Sequence, residues 1–171
     1  MDSLYEIKSL NNSHCRQIVD LILPIQQNEF NVPVTLESQP DLLDIETHYL
    51  RPGGGFWGAF HGDELVGTIA LIDTGHHAGA IRKMFVARDY RGRTTGLARR
   101  LLETLIAYGA ARGMTDLYLG TVAQLQAARR FYERNGFIPI DRDALPPYFP
   151  KMQVDTHFYH LNLAPRSDER D

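Results

Sequence analysis

Apolar residues recur at helical spacing in some stretches of the chain and alternate or cluster in short runs in others. Ile18, Leu21, Ile22 and Ile25 form one helical stripe, with Asn12 and Ser13 ahead of it as N-cap residues. Pro24 falls inside that pattern and should kink or end the helix. Leu97, Leu101, Leu102, Leu105 and Tyr108 form the stripe of the strongest predicted helix, residues 96–112, with Gly113 as its stop. A further clear helix is predicted over 122–135, ended by Gly136, and a short one over 42–50, ended by Pro52 and three glycines. Strands are predicted at 5–10, 56–60, 65–73, 80–86, 116–119, 137–140 and 152–163. Turns at 61–63 and 75–79 join the middle strands, and 31–40 and 141–151 are proline-bearing loops. This order predicts one α/β (α+β) domain over 1–163 with a mixed sheet, and a polar tail at 164–171.

Composition adds bounds. The 171 residues are 43% hydrophobic, which excludes a largely disordered chain. Cys15 is the only cysteine, so no internal disulfide forms, which fits a reducing cytoplasm. The N-terminus lacks the basic and apolar regions of a signal peptide. The longest uncharged apolar run, 65–72, is far short of the roughly 20 residues that span a membrane, so no membrane partner is expected.

Charge is uneven. The chain carries net −3, but residues 1–81 hold 3 basic and 11 acidic side chains, and residues 82–171 hold 15 and 10. Arg82, Lys83, Arg88, Arg91, Arg93, Arg99 and Arg100 crowd into one short stretch, with only Asp89 against them. Such a cluster reads as a solvated helix face or as a site for a polyanion. The overall negative charge weighs against nucleic acid.

Gly53-Gly54-Gly55-Phe56-Trp57-Gly58 matches G-x-G-x-x-G as a string, but it leads into a strand, whereas a dinucleotide site needs a strand before it and a helix after it. Residues 80–112 are more informative. A strand (AIRKMFV) enters a glycine- and arginine-bearing turn (ARDYRGRTTG) and then the long helix. Free N–H groups at a helix start, close backbone approach at glycine and forked arginine donors together suit a pyrophosphate. A second stretch, AARRFYERNGF, sets Tyr132 in a helix ahead of Gly136-Phe137.

These two stretches, VARDYRGRTTGLARRLL and AARRFYERNGF, together resemble the GNAT superfamily of acetyl-CoA-dependent N-acetyltransferases. The resemblance implies a GNAT-like fold of about seven strands and about four helices, with acetyl-CoA as co-substrate and no metal. It implies that Met84, Phe85 and Val86 lie on the splayed strand that pairs with pantetheine. Arg91, Gly92, Arg93, Thr94, Thr95, Gly96, Leu97, Ala98 and Arg99 correspond to the pyrophosphate loop, and Tyr132 to the tyrosine that protonates the departing thiolate. Three positions depart from the family pattern. Thr94 replaces the middle glycine of R-G-x-G-x-G, although R-x-x-G-x-A also fits from Arg93 to Ala98. Leu125 stands where many members have asparagine. Gly120-Thr121 stands where some carry a glutamate base.

The acceptor side offers Glu29, Glu37, Asp73, His76, His77 and Asp155 as base or cation-binding candidates. Glu29 and Glu37 are favoured because they flank the loop after the first helix. Adjacent His76 and His77 lack a placed third ligand for a metal. Cys15 lies away from the cofactor strands, which favours direct transfer, and the acidic excess of residues 1–81 points to a small cationic or zwitterionic amine as acceptor. The alternative is a CoA-binding sensor without catalysis; a homodimer is compatible with either.

Overall fold

The computed structural model describes residues 4–92, 94–152 and 154–163; Arg93 and the expected tail at 164–171 lie outside the described residues. Seven strands form one sheet: β1 (Tyr5–Ser9), β2 (Gly55–His61), β3 (Glu64–Gly75), β4 (Ala78–Val86), β5 (Asp116–Thr121), β6 (Ile138–Ile140) and β7 (His157–Asn162). Their order is β1-β2-β3-β4-β5-β7-β6, and every pairing is antiparallel except β4 with β5. The helices are α1 (Cys15–Pro24), α2 (Leu97–Ala111) and α3 (Gln126–Arg134).

Alternation along β2 decides what covers each face of the sheet. Trp57 and Ala59 pack with Leu97, Leu101 and Leu105 of α2 and with Tyr132 of α3. Phe56 and Phe60 pack on the other side with Ile18 and Ile22 of α1. A mixed sheet covered on both faces is the architecture that the element order predicted.

Three local differences have physical causes. α1 ends at Pro24, which offers no N–H, and the chain continues as a wider turn over Ile25–Glu29, closed by Phe30 N–H donating to the Ile25 carbonyl at 3.1 Å. The helix expected over 42–50 is two short turns, Pro40–Leu43 and Glu46–Leu50, broken at Asp44. There the Asp44 carboxylate accepts from Thr47 N–H, Thr47 Oγ1 and Asn12 Nδ2 at 3.1, 2.7 and 3.0 Å, so the side chain competes with the helix for local donors. The last strand begins only at His157; ahead of it Asp155 N–H donates to the Met152 carbonyl at 3.2 Å, a local bond that an extended strand would not make.

The three glycines at 53–55 serve packing. Tyr108 of α2 donates its hydroxyl to the carbonyls of Gly53 and Gly54 at 2.7 and 3.1 Å. A Cβ at Gly54 would stand 1.9 Å from the Leu71 carbonyl oxygen of β3. That neighbour is backbone held in the sheet, so it cannot give way cheaply. Gly54→Ala should therefore lower the unfolding free energy by about 1–3 kcal/mol, the usual cost of overpacking, read from denaturant melts.

Candidate active site

The site begins where β4 and β5 part. They pair only from Ala78–Asp116 to Ile81–Leu119. Just beyond, Arg82 lies opposite Ala70 and Phe85 opposite Thr68, so Lys83 and Met84 together face the single residue Ile69 of β3. This is a β-bulge, with Lys83 at φ 54° and its carbonyl held by Thr68 Oγ1 at 2.8 Å. A bulge bends its strand and re-aims the side chains on it. The result is a wedge with Ile81 to Phe85 on one wall and Gly120, Thr121 and α3 on the other.

Met84 and Phe85 line this cleft; Val86 does not, and its carbonyl instead accepts from Arg91 Nε at 2.7 Å. Tyr132 lines the α3 wall and is 5% exposed. Its ring packs on Phe131, Phe137 and Tyr159, and no described residue hydrogen-bonds its hydroxyl. Burial first, then the nearby Asp155 and Tyr159, push its phenol well above the usual value, so at neutral pH it stays protonated and can donate.

Asp155 enters the same cleft from the loop before β7. A Cβ at Gly120 would stand 2.6 Å from Asp155 Oδ2, so this carboxylate fills the space that a side chain at position 120 would take. Arg142 Nη2 donates to the Asp155 carbonyl at 2.7 Å and fixes the turn. Burial raises the Asp155 carboxyl pKa, opposed by the charges of Arg82, Lys83 and Arg142.

At the other end Lys83 is buried and committed. Its ammonium donates to Gln39 Oε1 and lies 3.6 Å from Asp41. Gln39 and Gln26 exchange amide hydrogen bonds at 2.9 and 3.1 Å. Burial lowers the Lys83 pKa to about 8, against the pull of Asp41. Sequence reasoning counted Lys83 only as one of a basic cluster; a positive φ at a lysine leaves no signal in composition.

The loop leading to α2 lies to one side. Gly96 is its N-cap at φ 63°, with no capping side chain. Thr95 Oγ1 donates to the Tyr90 carbonyl at 2.6 Å, and Gly96 N–H to the Gly92 carbonyl at 3.2 Å. Leu97 N–H reaches Thr95 Oγ1 only at 3.4 Å, and no described residue accepts from Ala98 or Arg99 N–H. Thr94 is exposed, and Arg99 pairs with Glu103 at 3.1 Å. These open N–H groups at the start of a fifteen-residue helix fit an anionic group such as a pyrophosphate.

Other candidates are placed elsewhere. Glu29 binds both terminal nitrogens of Arg91, one at 2.7 Å, and lies 3.7 Å from Arg88. The hydrogen bond from Arg91 holds its carboxyl below the usual range despite burial. Glu37 is exposed and does not line the cleft. Asp73 lies 3.7 Å from Arg112, and His76 stacks on Tyr148 at 4.1 Å. No group of three or more His, Cys, Asp or Glu that could hold a metal occurs among the described residues, and no helix there is long and apolar enough to cross a membrane.

The profile of the Acetyltransferase (GNAT) family matches residues 19–137. The chain belongs to the GNAT acetyltransferase family. A Bacillus subtilis relative, the N-acetyltransferase YsnE, is 35% identical over 128 residues, which are 71% of this chain and 79% of that one. A GNAT acetyltransferase from Staphylococcus aureus superposes with a TM-score of 0.90 at 39% identity, covering 94% of this chain and 99% of its own. The structure of yncA from Salmonella typhimurium, solved with its cofactor acetyl-CoA, shares the fold at TM-score 0.71 and 16% identity, covering 96% and 97%. With its family the protein is an acyl-CoA-dependent N-acetyltransferase, and the seven-stranded mixed sheet is the family's fold.

Proposed function

We propose that this protein moves an acetyl group from acetyl-CoA to the primary amine of a small molecule by direct attack. The observation that carries this reading is the convergence of Tyr132 and Asp155 in the wedge where β4 leaves β5. Acetyl-CoA supplies the thioester acetyl group. The open edge of β4 at Met84 to Val86 offers backbone groups to the pantetheine, and the loop from Arg91 to Arg99 offers the N–H groups of Ala98 and Arg99 to the pyrophosphate. Arg91 braces this loop through Glu29 and the Val86 carbonyl. Arg93 completes it in this reading.

An amine arrives mostly as ammonium and must lose a proton before its nitrogen can attack. Asp155 takes that proton, in the place of the glutamate that Gly120 lacks. The pairing of Glu29 with Arg91 and the exposure of Glu37 move the acceptor end of the site away from those two residues. As the carbon–nitrogen bond forms and the carbon–sulfur bond breaks, the Tyr132 hydroxyl donates a hydrogen bond to the leaving sulfur, and the second proton that the nitrogen sheds in becoming an amide ends on that sulfur as the CoA thiol.

A panel of amines with thiol release as readout tests this reading. Amine-dependent release with an N-acetylated product supports it; CoA binding without transfer to any amine overturns it in favour of a sensor. The loop has a separate test. Gly96→Val puts a β-branched residue at a positive φ, which it adopts only under strain, so the first N–H groups of α2 must shift. Calorimetric CoA affinity should fall at least roughly tenfold, about 1.4 kcal/mol. Unchanged affinity would remove the pyrophosphate from this loop.

A further inference from the structure

The bulge at Lys83 brings two consecutive cations, Arg82 and Lys83, to the same cleft. Their circumstances differ. Lys83 is satisfied by Gln39 and Asp41. Arg82 is half-buried, and its one hydrogen bond among the described residues runs from Nη2 to the thioether of Met152 at 3.1 Å. No described carboxylate lies within 4.0 Å of its guanidinium. A thioether is a weak acceptor for a five-donor cation, and withdrawing a cation from water is costly unless an anion or good acceptors replace the water. The guanidinium therefore holds unused donors at the wall of the cleft. It also borders an adjoining hollow lined by Pro40, Asp41, His48, Tyr49 and Ile72. There Asp41 is already engaged, by Lys83 and by the Tyr49 hydroxyl.

We propose that the acceptor is a small amine that also carries a carboxylate, its ammonium directed to Asp155 and its carboxylate to the Arg82 guanidinium. This rests on the transfer reading above and narrows its substrate. The two side chains enter the cleft from different elements, β4 and the loop before β7, and carry opposite charge. A zwitterion laid between them meets a complementary charge at each end. A plain alkylamine or a polyamine leaves Arg82 without its anion and adds a cation beside it, so it is disfavoured on both counts. The planar, forked geometry of guanidinium suits a carboxylate specifically.

The experiment compares each common amino acid with its own carboxamide, using acetyl-CoA and thiol release, in the parent protein, Arg82→Gln and Arg82→Lys. In the parent, the better acids should show KM values on the order of 10- to 100-fold below their amides, the range set by a charge-assisted hydrogen bond. Arg82→Gln should remove most of that preference by raising KM for the acids while leaving the amides within about threefold. Arg82→Lys should restore part of it. CoA affinity measured on the same variants should be unchanged. Equal use of acids and amides by the parent overturns the proposal. So does an Arg82→Gln variant that weakens both by the same factor, since a merely structural arginine would do that. Absence of thiol release with every amine, charged or not, overturns the transfer reading itself and this inference with it.

Discussion

Asp155→Asn should lower kcat by about 10²- to 10⁴-fold, the range for loss of a general base, with CoA affinity unchanged. The carboxylate lines the same cleft as Tyr132 and fills the space a side chain on Gly120 would occupy. Asparagine keeps the shape and cannot take the proton. The pH profile distinguishes this from a structural effect. Burial raises the Asp155 pKa above the ordinary carboxylate value, against Arg82, Lys83 and Arg142. In the parent, kcat/KM should therefore fall as pH drops through that raised value. The variant should lack this limb, and its rate should climb with pH as the free amine itself becomes populated, so that the deficit narrows in alkali.

Stability should move the other way. A carboxyl whose folded pKa lies above its unfolded one stabilises the fold when protonated, at low pH. That contribution is lost as pH rises through the folded value. At neutral pH the ionised Asp155 is thus a cost, and Asp155→Asn should melt no lower than the parent. A variant that lost activity and melted much lower would place Asp155 in the framework instead of the chemistry. Unchanged kcat at neutral pH would remove it as the base.

The sequence made the scaffold legible because its signals are local. Period and a glycine stop located α2 (Leu97–Ala111), and strand-like runs with turn residues between them located β2, β3 and β4. The glycine-bearing turn before α2 was readable for the same reason: Gly92 and Gly96 and the first N–H groups of the helix all lie within a few residues. Other contacts in and around the cleft join residues far apart in the chain. Asp155 meets Gly120 across 35 positions, and Glu29 meets Arg91 across 62. No spacing rule encodes such pairs. The alternating pattern over 152–163 read as one strand, yet the strand starts only at His157, and Asp155, bonded back to the Met152 carbonyl, lines the cleft. The bulge was equally hidden, because it places Lys83, and neither glycine nor asparagine, at a positive φ. Without it, Arg82 and Lys83 would be expected on opposite faces of β4. Glu29 and Glu37 were favoured because they flank the loop after the first helix, but position along the chain does not show which carboxylates are already paired.

Tyr132→Phe should also lower kcat by about 10²- to 10⁴-fold, and its signature should differ from that of Asp155. The ring is held by Phe131, Phe137 and Tyr159, with centroids 5.8, 5.5 and 6.0 Å away, and phenylalanine keeps those contacts. No described residue partners the hydroxyl, so its removal orphans no protein group, and the melting temperature should hold or rise. CoA affinity should stay within about twofold, because the hydroxyl matters only as charge develops on sulfur, and interactions gained only in the transition state alter kcat. Burial makes this phenol a weaker acid than a free one and keeps it protonated. Its contribution is therefore a hydrogen bond to the departing sulfur, and it should depend on how much negative charge that sulfur must bear. Acetyl thioesters of more acidic thiols need less help. With such donors the gap between parent and Tyr132→Phe should shrink steadily, whereas Asp155→Asn should show the same deficit with every donor. A Tyr132→Phe deficit that did not change with the leaving thiol would assign the hydroxyl to substrate positioning, and an unchanged kcat would mean that another donor serves the sulfur.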